Sequence, residues 1–498
     1  MTTLTQNQKD IIGIVIILAL CELFSFFSYL YHPLGYVIAA AIIILAIVMS
    51  VKDLFYGFLI IIIELLIGSQ GYLFSIAEEP NRISLRIGLW TAVMVVWISK
   101  ELIGIYKSKR LPYSIKIFPY LKPLGLLLIS IAVAALIGYL RGNEMSFIID
   151  EGKRWAYLIF IVPFFTLCAS SEKRRWLLVS LAAAGFWIAI KSFGMLFIFS
   201  HEMPLLDHLY MWTRSTLLGE ITRLPNKFTR VFLQSQVFVI PAFFISIGFF
   251  VKKAAEQKWH LTTPLFKNLI ASSFFFCVIL ISLSRSFWVG TALGLFFGLS
   301  LAFIYFRPNM KHIGAIALYG ASVALLSAIL LIIAVRFPFP RPTSDLSTSI
   351  LTDRATEFEA GAASRWSLLP VMKNAILEQP IFGQGLGKSL SYISSDPRVR
   401  QNDASGLYTT HAFEWGWLDL WMKLGLLGLG AYLWLLYLIV KSTFRLIRTR
   451  PHTALPAIAS LVALIALNFF TPYLNHPLGF GYLAMLMVLS KPESGGLA

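Results

Sequence analysis

"LYTTHAFEWGWLDLWMKLGLLGLG", residues 407–430, joins a polar stretch carrying one histidine directly to a helix whose composition suits lipid. Residues 416–440 are long and apolar enough to cross a bilayer, which takes about 20 such residues. Comparable runs recur at 11–30, 33–50, 54–73, 84–105, 120–140, 155–170, 176–199, 231–251, 268–284, 288–306, 313–335, 454–471 and 476–490. The pattern predicts an all-α, polytopic integral membrane protein of about 12–14 transmembrane helices. One large external loop with short helices of its own interrupts it. The expected parts are N-terminal membrane helices (1–335), the loop (336–415) and C-terminal membrane helices (416–498).

Composition agrees. Of 498 residues, 57% are hydrophobic and only 13% charged, where soluble domains carry about 25% charged residues. Residues 11–30 have a nearly uncharged flank and no small-residue cleavage site, so they read as a first span and not a signal peptide. The net charge of +17 points to membrane topology and excludes a nucleic-acid reading, because cytoplasmic loops collect Lys and Arg. With the N-terminus inside, the inner segments "YKSKRLPYSIK", "SSEKRRW", "VKKAAEQKWH", "RPNMKH" and "KSTFRLIRTRPH" are all basic. The outer segments "IAEEPNR" and "RGNEMSFIIDEGKR" are mixed in sign. Both termini are then cytoplasmic. Cys21, Cys168 and Cys277 lie far apart inside apolar runs, a spacing that builds neither a disulfide framework nor a CxxC-type metal site.

Three outer segments hold the candidate chemistry. Residues 200–230 contain Arg214, Arg223, Lys227 and Arg230, a basic cluster where positive-inside statistics do not place one; an anionic ligand or lipid headgroups would explain it. In "LSRSFWVG" (283–290), Arg285 lies between two apolar runs. It is either a guanidinium aimed at phosphate oxygens or an interfacial side chain snorkelling to headgroups. The loop opens with the Pro-rich "RFPFPRPTSD", then shows a helical apolar period from Ser364, a plausible N-cap, to Glu378, ended by Pro380 and glycines. His411 suits a general base acting on a hydroxyl, or a hydrogen-bonded surface role, with Glu414 and Asp419 near enough to orient it or replace it. "GQGLG" (383–387) follows no strand and reads as a turn, not a dinucleotide site. His201, Glu202, Asp207 and His208 are metal ligands by type but fit no familiar spacing, so no metal is assigned. Glu22, Glu64, Lys191 and Lys423 fall in or near spans, where charge needs a partner or a cavity.

Arg365-Trp366, "EQPIFGQGLG", His411 and "KLGLLGLGAYLWLL" follow one another in an order that resembles the signature region of the O-antigen ligase and O-antigen polymerase superfamily. "LSRSFWVG" resembles that family's Ser-Arg segment, and Arg230 matches its earlier arginine; together the likeness spans roughly 230–430. Ala412 stands where members often have Asn, and "RVFLQSQ" lacks the Pro-Asn common beside the earlier arginine. The resemblance implies a cofactor-free, metal-independent inverting glycosyltransferase in the bacterial inner membrane, its large loop periplasmic. Its donor is a glycan on a polyprenyl diphosphate and its acceptor a glycolipid (lipid A–core, for a ligase) or a carrier-linked glycan (for a polymerase). On this reading Arg285 and Arg365, with Arg230, neutralise the departing diphosphate, while His411 takes the acceptor proton. Two other classes fit parts of the pattern: a lipid-linked sugar flippase, and a peptidoglycan-type polymerase using a loop carboxylate, Asp403 or Glu414.

Overall fold

The computed structural model describes residues 5–76, 82–109, 118–168, 170–224, 228–255, 263–344 and 360–491. Lys227 and the middle of the large loop lie outside them. The first helices are α1 (Gln6–Leu30), α2 (His32–Lys52), α3 (Leu54–Ile67), α4 (Leu85–Ser108) and α5 (Leu121–Leu140). Next come α6 (Met145–Ala156), α7 (Ile161–Leu167), α8 (Ser171–Ser200) and α9 (Leu206–Ser215). Strands β1 (Gly219–Arg223) and β2 (Thr229–Leu233) precede α10 (Val239–Ala255), α11 (Thr263–Ile281), α12 (Arg285–Phe306) and α13 (Met310–Arg336). The loop carries α14 (Ala360–Glu378), β3 (Leu390–Ile393), α15 (Pro397–Asn402) and β4 (Leu407–Thr410). The chain then returns to α16 (Gly416–Arg445), α17 (Pro451–Leu467) and α18 (Pro477–Leu489).

Among the described residues ten helices are long and apolar enough to span a membrane: α1, α2, α4, α5, α8, α10 with the turn before it, α11, α12, α13 and α16. Helices α3, α17 and α18 are apolar but shorter. The protein is therefore an all-α, multi-pass membrane protein, and among the described residues ten long apolar helices and three shorter ones stand against the 12–14 spans predicted. The apolar run at 155–170 is broken into α6, a 3₁₀ turn at 157–160 and α7. The run at 231–251 begins as strand, because Val231 and Leu233 face inward in a hairpin before the helix starts. Residues with wide exposure, such as Val37, Leu140 and Ile304, form apolar outer surfaces that suit lipid and would not suit water. Where α12 meets α17, Gly290 and Gly294 let the helix approach the Ala463 and Ala459 carbonyls, the small-residue packing common between membrane helices.

Contacts sort the connections onto two faces. On one, Lys173 pairs with Asp53 at 3.0 Å, Arg175 with Asp10, and Arg174 donates to the Lys491 carbonyl at 2.9 Å. On the other, Arg82 reaches the Ser215 carbonyl, Arg230 the Ser282 carbonyl, and Asn143 the Leu386 carbonyl within the large loop. The buried charges find partners as well. Lys191 donates to Glu22 at 2.6 Å, and Arg86 holds Glu64 through two hydrogen bonds of 2.8 and 3.0 Å.

Candidate active site

The β1–β2 hairpin pairs Thr222 with Arg230 and Glu220 with Phe232. Because side chains alternate along a strand, these four share one face, with Thr229, Val231 and Leu233 buried on the other. The Arg230 guanidinium lies over the Phe232 ring, 4.9 Å from its centroid, and its Nε donates to the Ser282 carbonyl at 2.9 Å. That carbonyl belongs to the tight passage between α11 and α12. Leu283 takes a left-handed backbone conformation (φ 45°), and Ser284 is the N-cap residue of α12. Arg285 is thereby the first residue of the helix, and Ser286 reaches Thr471 at 3.2 Å. The third arginine comes from the loop: Arg365 on α14 pairs with Glu414, and its carbonyl accepts from the Trp415 indole at 3.0 Å.

These arginines share one electrostatic environment. Partial burial, then the positive charges of Arg230 and Arg285, hold the Arg365 guanidinium below its ordinary range, against the opposing pull of Glu220. Arg230 is lowered as well, by burial, with Glu220 and Tyr473 opposing. A cation that destabilises its neighbour's charge gains from an intervening anion. The arrangement suits a multiply charged ligand such as diphosphate, for which the guanidinium fork is well shaped.

His411 faces elsewhere. It follows β4 and stacks on Phe147 of α6, ring centroids 3.8 Å apart and planes within 12°. Its carbonyl accepts from Lys423 Nζ at 2.9 Å. The charged groups around its ring are Lys423 and, from α6, Glu151, Arg154 and Asp150. Burial, reinforced by Lys423, pushes the imidazole below its ordinary pKa, which favours its neutral form. Glu414 lies three residues on and pairs with Arg365, so the segment 411–414 connects the histidine to the arginine cluster.

The "GQGLG" turn has a role unrelated to phosphate. Helix α16 is broken at Gly425 (φ 67°, ψ −176°), which removes the ladder bonds from the amides of residues 426 and 427 to the carbonyls of residues 422 and 423. The turn replaces both ends of both bonds. Gln384 N–H donates to the Met422 carbonyl at 2.6 Å and Gly385 N–H to that of Lys423 at 3.2 Å. The amides of Leu426 and Leu427 donate to the Pro380 and Ile381 carbonyls at 2.9 and 3.4 Å. Unpaired backbone at membrane depth is costly, and here loop backbone completes a membrane helix. Arg141 and Asn143, just after α5, hold the turn from the other side, at Gln384 Oε1 (2.7 Å) and the Leu386 carbonyl (2.8 Å).

Residues 270–433 match the O-antigen ligase family. The match covers about a third of the chain and supports a relation of this region to the O-antigen ligase/polymerase superfamily, which implies glycosyltransferase-like chemistry. It spans Arg285, Arg365, His411 and the glycine turn, and stops short of Arg230 and α6. No curated protein matches the chain.

Around this region the other candidates have ordinary partners. Asp419 lies 2.7 Å from Lys423 and accepts from Asn475, so it is engaged beneath the site. Asp403 accepts from the Ser405 amide within its own turn. His201 has both ring nitrogens on backbone carbonyls, of Phe197 and Phe337, and Glu202 pairs with Arg223. Among the described residues no group of three or more His, Cys, Asp or Glu is placed to hold a metal. Ser364 is not an N-cap. Helix α14 already begins at Ala360, four residues earlier, and the Ser364 hydroxyl bonds Ser394 at 2.7 Å. Sequence reasoning missed Phe147 and Glu151. The only signal was an amphipathic helix, α6, within an outer segment of mixed charge.

Proposed function

We propose that the protein transfers a glycan from a polyprenyl-diphosphate carrier to an acceptor hydroxyl at the outer face of the bacterial inner membrane, in the manner of an O-antigen ligase with lipid A–core as acceptor. The observation that supports this reading is that Arg230 holds the Ser282 carbonyl, just before Arg285, at 2.9 Å, while Arg365 from the loop feels the positive charge of both. A carrier anchored in lipid presents its diphosphate at the level of that loop. Diphosphate is already a good leaving group, so the protein has chiefly to neutralise its developing charge and orient the acceptor.

In the proposed step, the acceptor oxygen attacks the anomeric carbon as the bond to the diphosphate oxygen breaks, inverting the centre. The arginines receive the diphosphate charge, and the neutral His411 imidazole takes the hydroxyl proton. Glu414, bonded to Arg365, is released when diphosphate takes that arginine, and it is the second candidate base. No metal is required where guanidinium groups neutralise the leaving group. The loop is periplasmic and both termini cytoplasmic, which agrees with the basic connections on the opposite face.

A gel of surface polysaccharide from a deletion strain tests the reading. Accumulated carrier-linked long chains support ligation. Accumulated single repeat units would move the assignment to a polymerase, and a purified protein that moves carrier-linked glycan across a liposome membrane without joining it to an acceptor would favour a flippase.

A further inference from the structure

Beneath His411 lies a buried ionic network that the proposed chemistry leaves unused. Lys423 is 6% exposed and Glu151 4%. Lys423 Nζ contacts Glu151 Oε1 at 2.7 Å, Asp419 Oδ1 at 2.7 Å and the His411 carbonyl at 2.9 Å. The second Glu151 oxygen accepts from Gly387 N–H at 2.9 Å, and Asn475 joins Asp419 to the start of α16 through the Gly416 carbonyl. Five separate pieces of chain, α6, the glycine turn, the His411 segment, α16 and the turn at Asn475, therefore converge on one ammonium and two carboxylates. A buried ion pair of this kind is weak evidence for stability alone, since desolvation offsets much of the attraction. Its attested use is to specify geometry.

We propose that Lys423 and Glu151 are positioning residues for His411, the ammonium gripping its backbone while α6, tied down by Glu151, holds Phe147 flat against its ring. The same pair sets the field that the imidazole feels. From α16 it faces Lys423, with Asp419 behind; from α6 it faces Glu151, Asp150 and Arg154. Lys423 opposes protonation of the ring and Glu151 favours it. Removing either charge must therefore move the ring's titration, and the two must move it in opposite directions.

For transfer, the proposal rests on the reading of His411 as the base, and the experiment separates the two. Full-length protein in detergent is prepared as Lys423→Met, Glu151→Gln and Lys423→Arg. Carbethoxylation of His411 by diethylpyrocarbonate, followed across pH by peptide mass spectrometry, reports neutral imidazole whether or not the enzyme turns over. Transfer is measured in parallel with carrier-linked glycan extracted from a deletion strain.

Lys423→Met should shift the acid limb of both profiles upward by about one pH unit, and Glu151→Gln should shift both downward by a smaller amount. Gln retains an oxygen for Gly387 N–H. Lys423→Arg keeps the charge, so its limb should stay in place while kcat falls with the displaced His411 backbone. If Lys423→Met does not insert, the other two variants carry the test. Opposite shifts in His411 labelling without shifts in transfer would leave the positioning role standing and remove His411 as the base. Uniform loss of activity, with unshifted labelling and transfer limbs in the charge-removing variants, would overturn the proposal and reduce the network to a structural anchor.

Discussion

Replacing Gly425 by Ala tests whether loop backbone completes α16. The residue has φ 67° and ψ −176°, a region that essentially only glycine occupies. A Cβ there would lie 2.1 Å from the Ile381 carbonyl oxygen and 2.6 Å from Gly383 N. Both are backbone atoms of the turn and cannot rotate away. Conformational strain of about 1–3 kcal/mol and overpacking of about 1–3 kcal/mol together cost about 2–6 kcal/mol. The chain can escape by closing α16 into a regular helix, with the amides of Leu426 and Leu427 returning to the Met422 and Lys423 carbonyls. That would expel the 380–385 segment and strand its own polar groups. Thermal unfolding and size-exclusion profile in detergent should therefore degrade together with transfer activity. Gly430→Ala is the control, because in the same helix its Cβ meets nothing within 4 Å. A Gly425→Ala protein that melts and transfers like Gly430→Ala would refute the reasoning.

Other substitutions address the chemistry directly. Arg285→Lys keeps the charge but loses the planar fork, and transfer should fall about 10–100-fold, the worth of one strong charge-assisted hydrogen bond; full activity would reduce Arg285 to an interfacial anchor. His411→Gln retains hydrogen bonding but cannot take a proton near neutral pH, so kcat should fall about 10²–10⁴-fold with donor affinity little changed. Near-normal transfer by that variant would shift the base assignment to Glu414. Glu414→Gln frees Arg365, and donor KM should fall by up to about fivefold, since an exposed ion pair is worth at most about 1 kcal/mol; a rise in KM would show that Glu414 aids donor binding. Transfer in excess EDTA should be undiminished, and a loss restored by Mg²⁺ or Mn²⁺ would refute metal independence.

Much of this architecture is legible in the sequence because hydrophobic length is a direct physical signal. A segment such as 313–335 can satisfy its backbone in lipid only as a helix, and α13 occupies it. Residues 231–233 misled for the same reason. Apolar side chains followed without interruption by a helix look alike whether they belong to a span or to the buried side of a strand. At the site, Arg285 could be singled out because charge between two apolar runs demands a reason. Lys423 could be marked in the same way, as a charge near a span, but its partner Glu151 could not, because the two are 272 residues apart and neither has a local pattern announcing the other.

The two glycine-rich motifs look independent in sequence, yet they are halves of one device, and that device bears on His411. Each glycine of "GQGLG" meets a different element: Gly383 abuts Gly425 of α16, Gly385 abuts Gly138 of α5, and Gly387 donates to Glu151 of α6. Lys423 lies at the junction, since its carbonyl accepts from Gly385 while its ammonium holds the His411 carbonyl. A disturbance that shifts the turn must move one end of Lys423, and the other end is fixed to the segment carrying the histidine. The break in α16 is thus the means by which a loop outside the bilayer is indexed to the helices within it. It also explains why the histidine sits where the chain re-enters lipid: there a residue of the membrane helix can reach back to its backbone.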